Sequence, residues 1–114
     1  MSDCIFCKII NNEIPTTKIY EDNNVLAFND INPQSPVHIL VIPKDHISSM
    51  NDIDETNIEI LSHIHIAIKN IAKDKNLTEK GYRIVNNCGD QGGQTVNHLH
   101  FHLLGGRDMQ WPPG

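Results

Sequence analysis

A chain of 114 residues has room for one domain with a real core and not for two independently folded halves. Nine Lys and Arg against 14 Asp and Glu leave a formal charge of −5, and with no basic cluster a nucleic acid polymer is excluded as a partner. A small phosphate ester is not excluded, because a few histidines, hydroxyls and backbone N–H groups hold one phosphate without a basic surface.

The N-terminal MSDCIFCKII has no basic segment leading into a long apolar stretch, and nowhere do some eighteen apolar residues run together, so a soluble, cytoplasmic protein with no membrane contact is expected. Ile5, Phe6, Ile9 and Ile10 recur at helical spacing and predict a short helix over Cys4–Asn11, ended by Glu13-Ile14-Pro15. Lys18–Glu21 and Val25–Phe28, split by the turn-prone Asp22-Asn23-Asn24, predict a hairpin. Asp30 to Pro36 reads as a loop, and VHILVI, Val37–Ile42, as a buried strand stopped by Pro43. Asp52 with Glu55 three residues on predicts a capped start to a long helix, from about Asp54 to Lys75. Its apolar stripe is Ile58, Leu61, Ile64, Ala67, Ile68, Ile71 and Ala72, with His63 and His65 on its surface.

Tyr82–Asn86 then predicts a strand, NCGDQGGQT a glycine-rich turn, and NHLHFHLL a last strand. Together these elements make an α+β domain: a five-stranded antiparallel sheet with one long and one short helix.

The last strand spends three of the chain's seven histidines on alternate positions. In a strand, residues i, i+2 and i+4 project from one face about 6.5 Å apart, so His98, His100 and His102 share a face while Leu99, Phe101 and Leu103 anchor the other in the core. Neutral imidazole is a nucleophile near pH 7 and is readily protonated into a donor, so one ring can attack while another stabilises charge. His100 has both companions within reach, and the turn from Gly89 to Thr95, including Gly93 and Gln94, offers backbone N–H groups and a hydroxyl beside it. That arrangement suits attack on phosphorus, although no G-x-x-x-x-G-K-[ST] triphosphate cradle is present.

Cys4-x-x-Cys7 near the first residue is read either as half of a metal site or as buried thiols. Cys88, with no companion in sequence, is read as an ordinary loop or core cysteine.

At Gln94–Leu104 the chain matches His-φ-His-φ-His-φ-φ and so resembles the histidine triad family. CIFCKI, AFNDINPQSPVHILVIPKDHI and GGRDMQWPPG extend the likeness to its Hint branch over nearly the whole chain. The resemblance implies a single domain over residues 1–114, paired into a homodimer with the tail 105–114 near the interface, that binds purine nucleoside monophosphates. It implies hydrolysis of nucleoside phosphoramidates of the adenylyl-lysine type. By position, His100 corresponds to a nucleophile that becomes nucleotidylated, His102 and Thr95 to phosphate contacts, Asn87 to a phosphate or ribose contact, and Asp30 and Ile31 to the ribose and base wall. His38 corresponds to a further histidine that supports the triad or takes part in catalysis, and Trp111 to a tail residue bordering the partner's site. Similarity to zinc-bearing members implies a structural zinc on Cys4, Cys7, His46 and His98, which leaves His100 free to attack. The chain departs from the common pattern at Thr95, where Ser is frequent, and at Asn97, where an aromatic is often found. Two other functions remain on sequence grounds: a nucleotide-binding scaffold with weak hydrolysis, and a dinucleoside polyphosphate hydrolase, against which the ending WPPG argues.

Overall fold

The sheet is explained by which residues its strands place on each face. A computed structural model describes residues 3–114; Met1 and Ser2 of the expected 1–114 domain lie outside the described residues. Five strands, β1 (Lys18–Glu21), β2 (Val25–Asn29), β3 (Val37–Pro43), β4 (Tyr82–Val85) and β5 (Phe101–Gly105), form one antiparallel sheet in the order β1-β2-β3-β5-β4. Helix α1 (Ile5–Ile10) covers one face and α2 (Glu59–Asp74) the other.

Val25, Ala27, Ile39, Val41, Leu99, Phe101 and Leu103 pack with Ile64, Ala67, Ile68, Ile71 and Ala72 of α2. Leu26, Phe28, Leu40 and Ile42 pack with Phe6 and Ile9 of α1. Burial on both faces is why β2 and β3 read as unbroken apolar runs rather than as alternations. Among the described residues no helix is long and apolar enough to cross a membrane.

Local chemistry sets the boundaries. Asp22 Oδ1 accepts from the N–H groups of Asn24 (2.7 Å) and Val25 (2.8 Å), which closes the β1–β2 turn. Each helix ends on an asparagine in the left-handed region, Asn12 (φ 61) and Asn76 (φ 61). The next amide reaches back to a carbonyl five residues earlier, Glu13 N–H to Lys8 O (2.8 Å) and Leu77 N–H to Ala72 O (2.9 Å).

Three expectations are corrected, for the start of α2, for Ile58 and for the start of the last strand. Regular α2 begins at Glu59 rather than near Asp54, with Ile58 at its N-cap position and no side-chain capping bond; the carboxylate that ties the turn ahead of it is that of Asp54, not Asp52, its Oδ1 accepting from the Thr56 N–H (2.8 Å). Ile58, counted in the buried stripe, sits half exposed at the helix entrance. The last strand begins at Phe101 rather than at the start of the histidine run: pairing with β4 ends at Val85–His102 and pairing with β3 at Val41–Phe101. The segment before it is held otherwise. Leu99 N–H donates to Ile47 O, and the Asn86 side chain donates to His100 O (2.9 Å).

Candidate active site and metal cluster

The alternation of β5 and of the segment that leads into it aims His98, His100 and His102 at the α1 face. That face is not a solvent surface: His98 is 0 % and His100 4 % exposed. The Phe6 ring meets both edge-on, with centroids 5.8 Å and 5.2 Å away. A buried imidazole needs partners for its nitrogens, and the backbone supplies them. His98 Nε2 lies 2.9 Å from Pro43 O, and His100 Nδ1 lies 2.7 Å from His98 O. A carbonyl only accepts, so each of these nitrogens carries the hydrogen, and the other nitrogen of each neutral ring carries a lone pair. His98 therefore has its lone pair on Nδ1 and His100 on Nε2.

His98 Nδ1 turns toward the cysteines. Cys4 Sγ lies 3.3 Å from it, Cys7 Sγ 3.6 Å and His46 Nδ1 3.2 Å, while Cys7 Sγ lies 3.3 Å from His46 Nδ1. All four donor atoms fall within 4.8 Å of one another. A tetrahedral ion with Zn–S near 2.3 Å and Zn–N near 2.0–2.1 Å separates its ligand atoms by about 3.3 Å between nitrogens and about 3.6 Å between nitrogen and sulfur. The donor set therefore fits a zinc-sized tetrahedral ion. Cys4 is also the N-cap of α1, its sulfur accepting from Cys7 N–H at 3.4 Å, so the first helical turn orients both thiols.

On the other side of Phe6 lies a cavity of about 410 Å³. Phe6, Ile9, Ile14, Phe28 and Leu40 make it apolar, and Asp30, Ile31, Thr95, His100 and His102 bring the polar groups and the rim. His38 sits beneath it. On the sheet His38 faces Leu104 and His102 faces Leu40, so the two rings meet diagonally, with His38 Nε2 2.9 Å from His102 Nδ1 and 3.3 Å from Asp30 Oδ2. His102 Nε2 is buried and has no hydrogen-bond partner among the described residues.

Asp30, His38 and His102 are close enough to suggest a second metal site. Its chemistry argues against one: Gln34 N–H donates to His38 Nδ1 (3.0 Å), so a metal on Nε2 would require an imidazolate. The three form a hydrogen-bonded chain instead.

The glycine-rich turn borders this cavity. A Cβ on Gly92 would fall 2.3 Å from Cys88 O, and Gly93 has φ +82, so neither position accepts an ordinary side chain. Gln94 braces the turn: its Oε1 accepts from Gly89 N–H (3.0 Å), and its Nε2 donates to Ser48 O (2.7 Å) and Val96 O (3.0 Å). The Gln94 amide is thus committed to backbone, and Thr95, exposed, keeps its place on the cavity wall. Asn87 lies half-buried just past β4 and does not line the cavity. Trp111 is 81 % exposed and lies outside it.

Sequence reasoning missed the apolar walls Phe6, Ile9, Ile14 and Phe28, and it missed Asn86. For Phe6 and Ile9 a signal existed, since their spacing gives α1 one apolar side. Nothing in the sequence marked Asn86 above its neighbour Asn87.

Residues 3–111 match the family described as "Scavenger mRNA decapping enzyme C-term binding". The 14 kDa zinc-binding protein of Zea mays is 54 % identical over 115 residues, which cover 99 % of this chain and 89 % of that protein. Adenylylsulfatase HINT1 of Arabidopsis thaliana is 52 % identical over 115 residues, covering 99 % and 78 %. The crystal structure of a HIT family hydrolase from Legionella pneumophila Philadelphia 1 superposes with a TM-score of 0.96 at 53 % identity, over 98 % of this chain and 100 % of that one. Sheet, helices and alternating histidines define a histidine triad protein, and the chain belongs to that family. Within it, it is a hydrolase.

Burial pushes the His102 ring down to about 4, helped by the neighbouring His100 and His38, and burial lowers His38 against the pull of Asp30. Both rings are neutral at pH 7. Their folded pKa values lie below the ordinary 6.5, so between about pH 6.5 and 4 the unfolded chain binds more protons. Stability is therefore full above pH 6.5 and falls with acidification through that window. Urea midpoints at several pH values should show the fall, with a shallower slope for His102→Gln; an identical slope in that variant contradicts the assignment.

Proposed function

We propose that the protein hydrolyses purine nucleoside 5′-phosphoramidates of the adenylyl-lysine type through a nucleotidyl-histidine intermediate. One observation carries this reading: the Nε2 lone pair of His100 and the unpartnered Nε2 of His102 belong to rings that line one end of a largely apolar cavity. A flat heterocycle suits the walls of Phe6, Ile9, Phe28 and Ile31. The phosphate belongs at the histidine end, beside Thr95, while the Gly93 and Gln94 N–H groups, which donate to Asp90 O (3.0 Å) and Gly89 O (3.1 Å), hold the shape of the turn.

His100 Nε2 attacks the α-phosphorus as the bond to the leaving nitrogen breaks. The new positive charge on the His100 ring is stabilised by its Nδ1–H bond to His98 O. His102, its Nδ1 accepting from His38, keeps its hydrogen on Nε2 and donates to the phosphoryl group or to the departing nitrogen. Water then cleaves the phosphorus–His100 bond and releases the nucleoside monophosphate. The relative named adenylylsulfatase favours a second reading, in which the same His100 adduct forms from adenylyl sulfate. The two differ at the leaving group, since an amine has to be protonated as it departs and sulfate does not.

Cys4, Cys7, His46 and His98 hold a zinc ion in this reading, supported by their separations and by the name of the maize relative. The ion would clamp α1 to the segment that carries the triad, and His98 would act through it rather than on substrate. The protein works as a cytoplasmic homodimer paired at the edge strand β4, where Tyr82 and Ile84 are exposed, with the Trp111 tail reaching the partner's site.

His100→Ala should lower turnover of an adenosine phosphoramidate by at least about 10³-fold while AMP binding survives, because only the attacking nitrogen is deleted. Near-wild-type turnover contradicts the nucleophile. Elemental analysis should find about one zinc per chain after reconstitution with zinc. Replacing Cys4 and Cys7 together by Ser should release it and lower Tm; stoichiometric zinc persisting in the double variant refutes the ligand set.

A further inference from the structure

His38 holds one hydrogen between two acceptors. Gln34 N–H can only donate, so His38 Nδ1, 3.0 Å away, must carry a lone pair, and the neutral ring's single hydrogen is on Nε2. That nitrogen has His102 Nδ1 at 2.9 Å and Asp30 Oδ2 at 3.3 Å. One N–H does not make two full-strength hydrogen bonds, so whatever weakens one acceptor strengthens the bond to the other.

Asp30 is in a position to be weakened by a ligand. Its Oδ1 is occupied by Asn32 N–H (2.8 Å), and it is the one acid among the described residues that line the apolar cavity. On the reading that a nucleoside 5′-phosphate fills that cavity, the phosphate is drawn to the histidines and repelled by the carboxylate. Sugar hydroxyls, which sit between phosphate and base, are the groups with hydrogens to offer it.

We propose that Asp30 is a positioning residue through which sugar recognition reaches the chemical step. A sugar hydroxyl donating to Asp30 Oδ2 releases the His38 Nε2–H to His102 Nδ1, and a His102 ring that accepts at Nδ1 has its hydrogen fixed on Nε2, the buried atom without a partner among the described residues. The hydrogen-bond chain runs from Gln34 through His38 to His102, and Asp30 is its side branch. With the cavity empty the branch competes with the chain. With a ribose bound, the chain is complete and His102 is a committed donor. The sugar then contributes to rate as well as to affinity, which makes the site selective for nucleotides that carry the hydroxyls.

The test compares two adenosine phosphoramidates with the same amine, one with the ribose hydroxyls and one 2′,3′-dideoxy, in single-turnover formation of nucleotidylated His100 at saturating substrate. In the wild-type protein the dideoxy compound should react about tenfold more slowly at saturation, beyond any rise in its KM. In Asp30→Ala the competing acceptor is gone, so the dideoxy compound should react faster than it does in the wild type, while the KM for the ribose compound rises. Asp30→Asn, which keeps the shape and removes the charge, should move both quantities the same way and serves if the alanine variant does not fold. A loss of hydroxyls that changes KM alone, or an Asp30 variant that slows the dideoxy compound further, overturns the proposal. Failure of the wild-type protein to nucleotidylate His100 with either compound overturns the underlying function and the proposal with it.

Discussion

Two backbone carbonyls govern the chemistry of this molecule. Pro43 O takes the Nε2 hydrogen of His98, and His98 O takes the Nδ1 hydrogen of His100, so two neighbouring rings of the same residue type are held as opposite tautomers. One presents a lone pair to two cysteines and a histidine, the other to the cavity. A buried imidazole free to choose its tautomer would present the wrong nitrogen part of the time. Fixing it in the fold makes the nucleophile ready before substrate arrives.

The carbonyls are available because the ladder ends where it does. Past Phe101 toward the N-terminus, β5 loses both neighbours, and the backbone of His98–His100 is held by Ile47 O and the Asn86 amide instead. His98 serves both ends of the site at once, since its ring faces the cysteine cluster and its carbonyl holds His100. A metal at the cluster would thus brace the nucleophile through one residue, without touching substrate. The opposite face of the same segment, Leu99, Phe101 and Leu103 against α2, supplies the rigidity that such fixed geometry requires.

Much of this was legible in the sequence. The period of two in NHLHFHLL assigns faces to the histidines and leucines, the apolar runs of β2 and β3 announce strands buried on both sides, and the helical stripe of α2 predicts its buried residues from Ile64 to Ala72. What was not legible depended on distant neighbours. The start of the last strand depends on Ile47 and Asn86, which take the backbone groups of Leu99 and His100 out of the ladder. The turn leading into α2 is tied by Asp54 because its carboxylate, not that of Asp52, meets the Thr56 amide. His46 stands beside the cysteines only after a loop has brought it there, and spacing alone does not pair positions 39 residues apart. Gln94 reads as a ligand contact in a glycine-rich turn, yet its amide is consumed in holding that turn together, since three backbone groups there have no ladder to satisfy them.

The central claim is the tautomer assignment, and side-chain ¹⁵N NMR of the uniformly labelled protein measures it directly. The account predicts that at pH 7 His100 carries its hydrogen on Nδ1, with Nε2 showing the shift of an unprotonated nitrogen. Its long-range couplings should identify the ring that becomes nucleotidylated. A His100 ring protonated on Nε2, or one exchanging between the two tautomers, would contradict it.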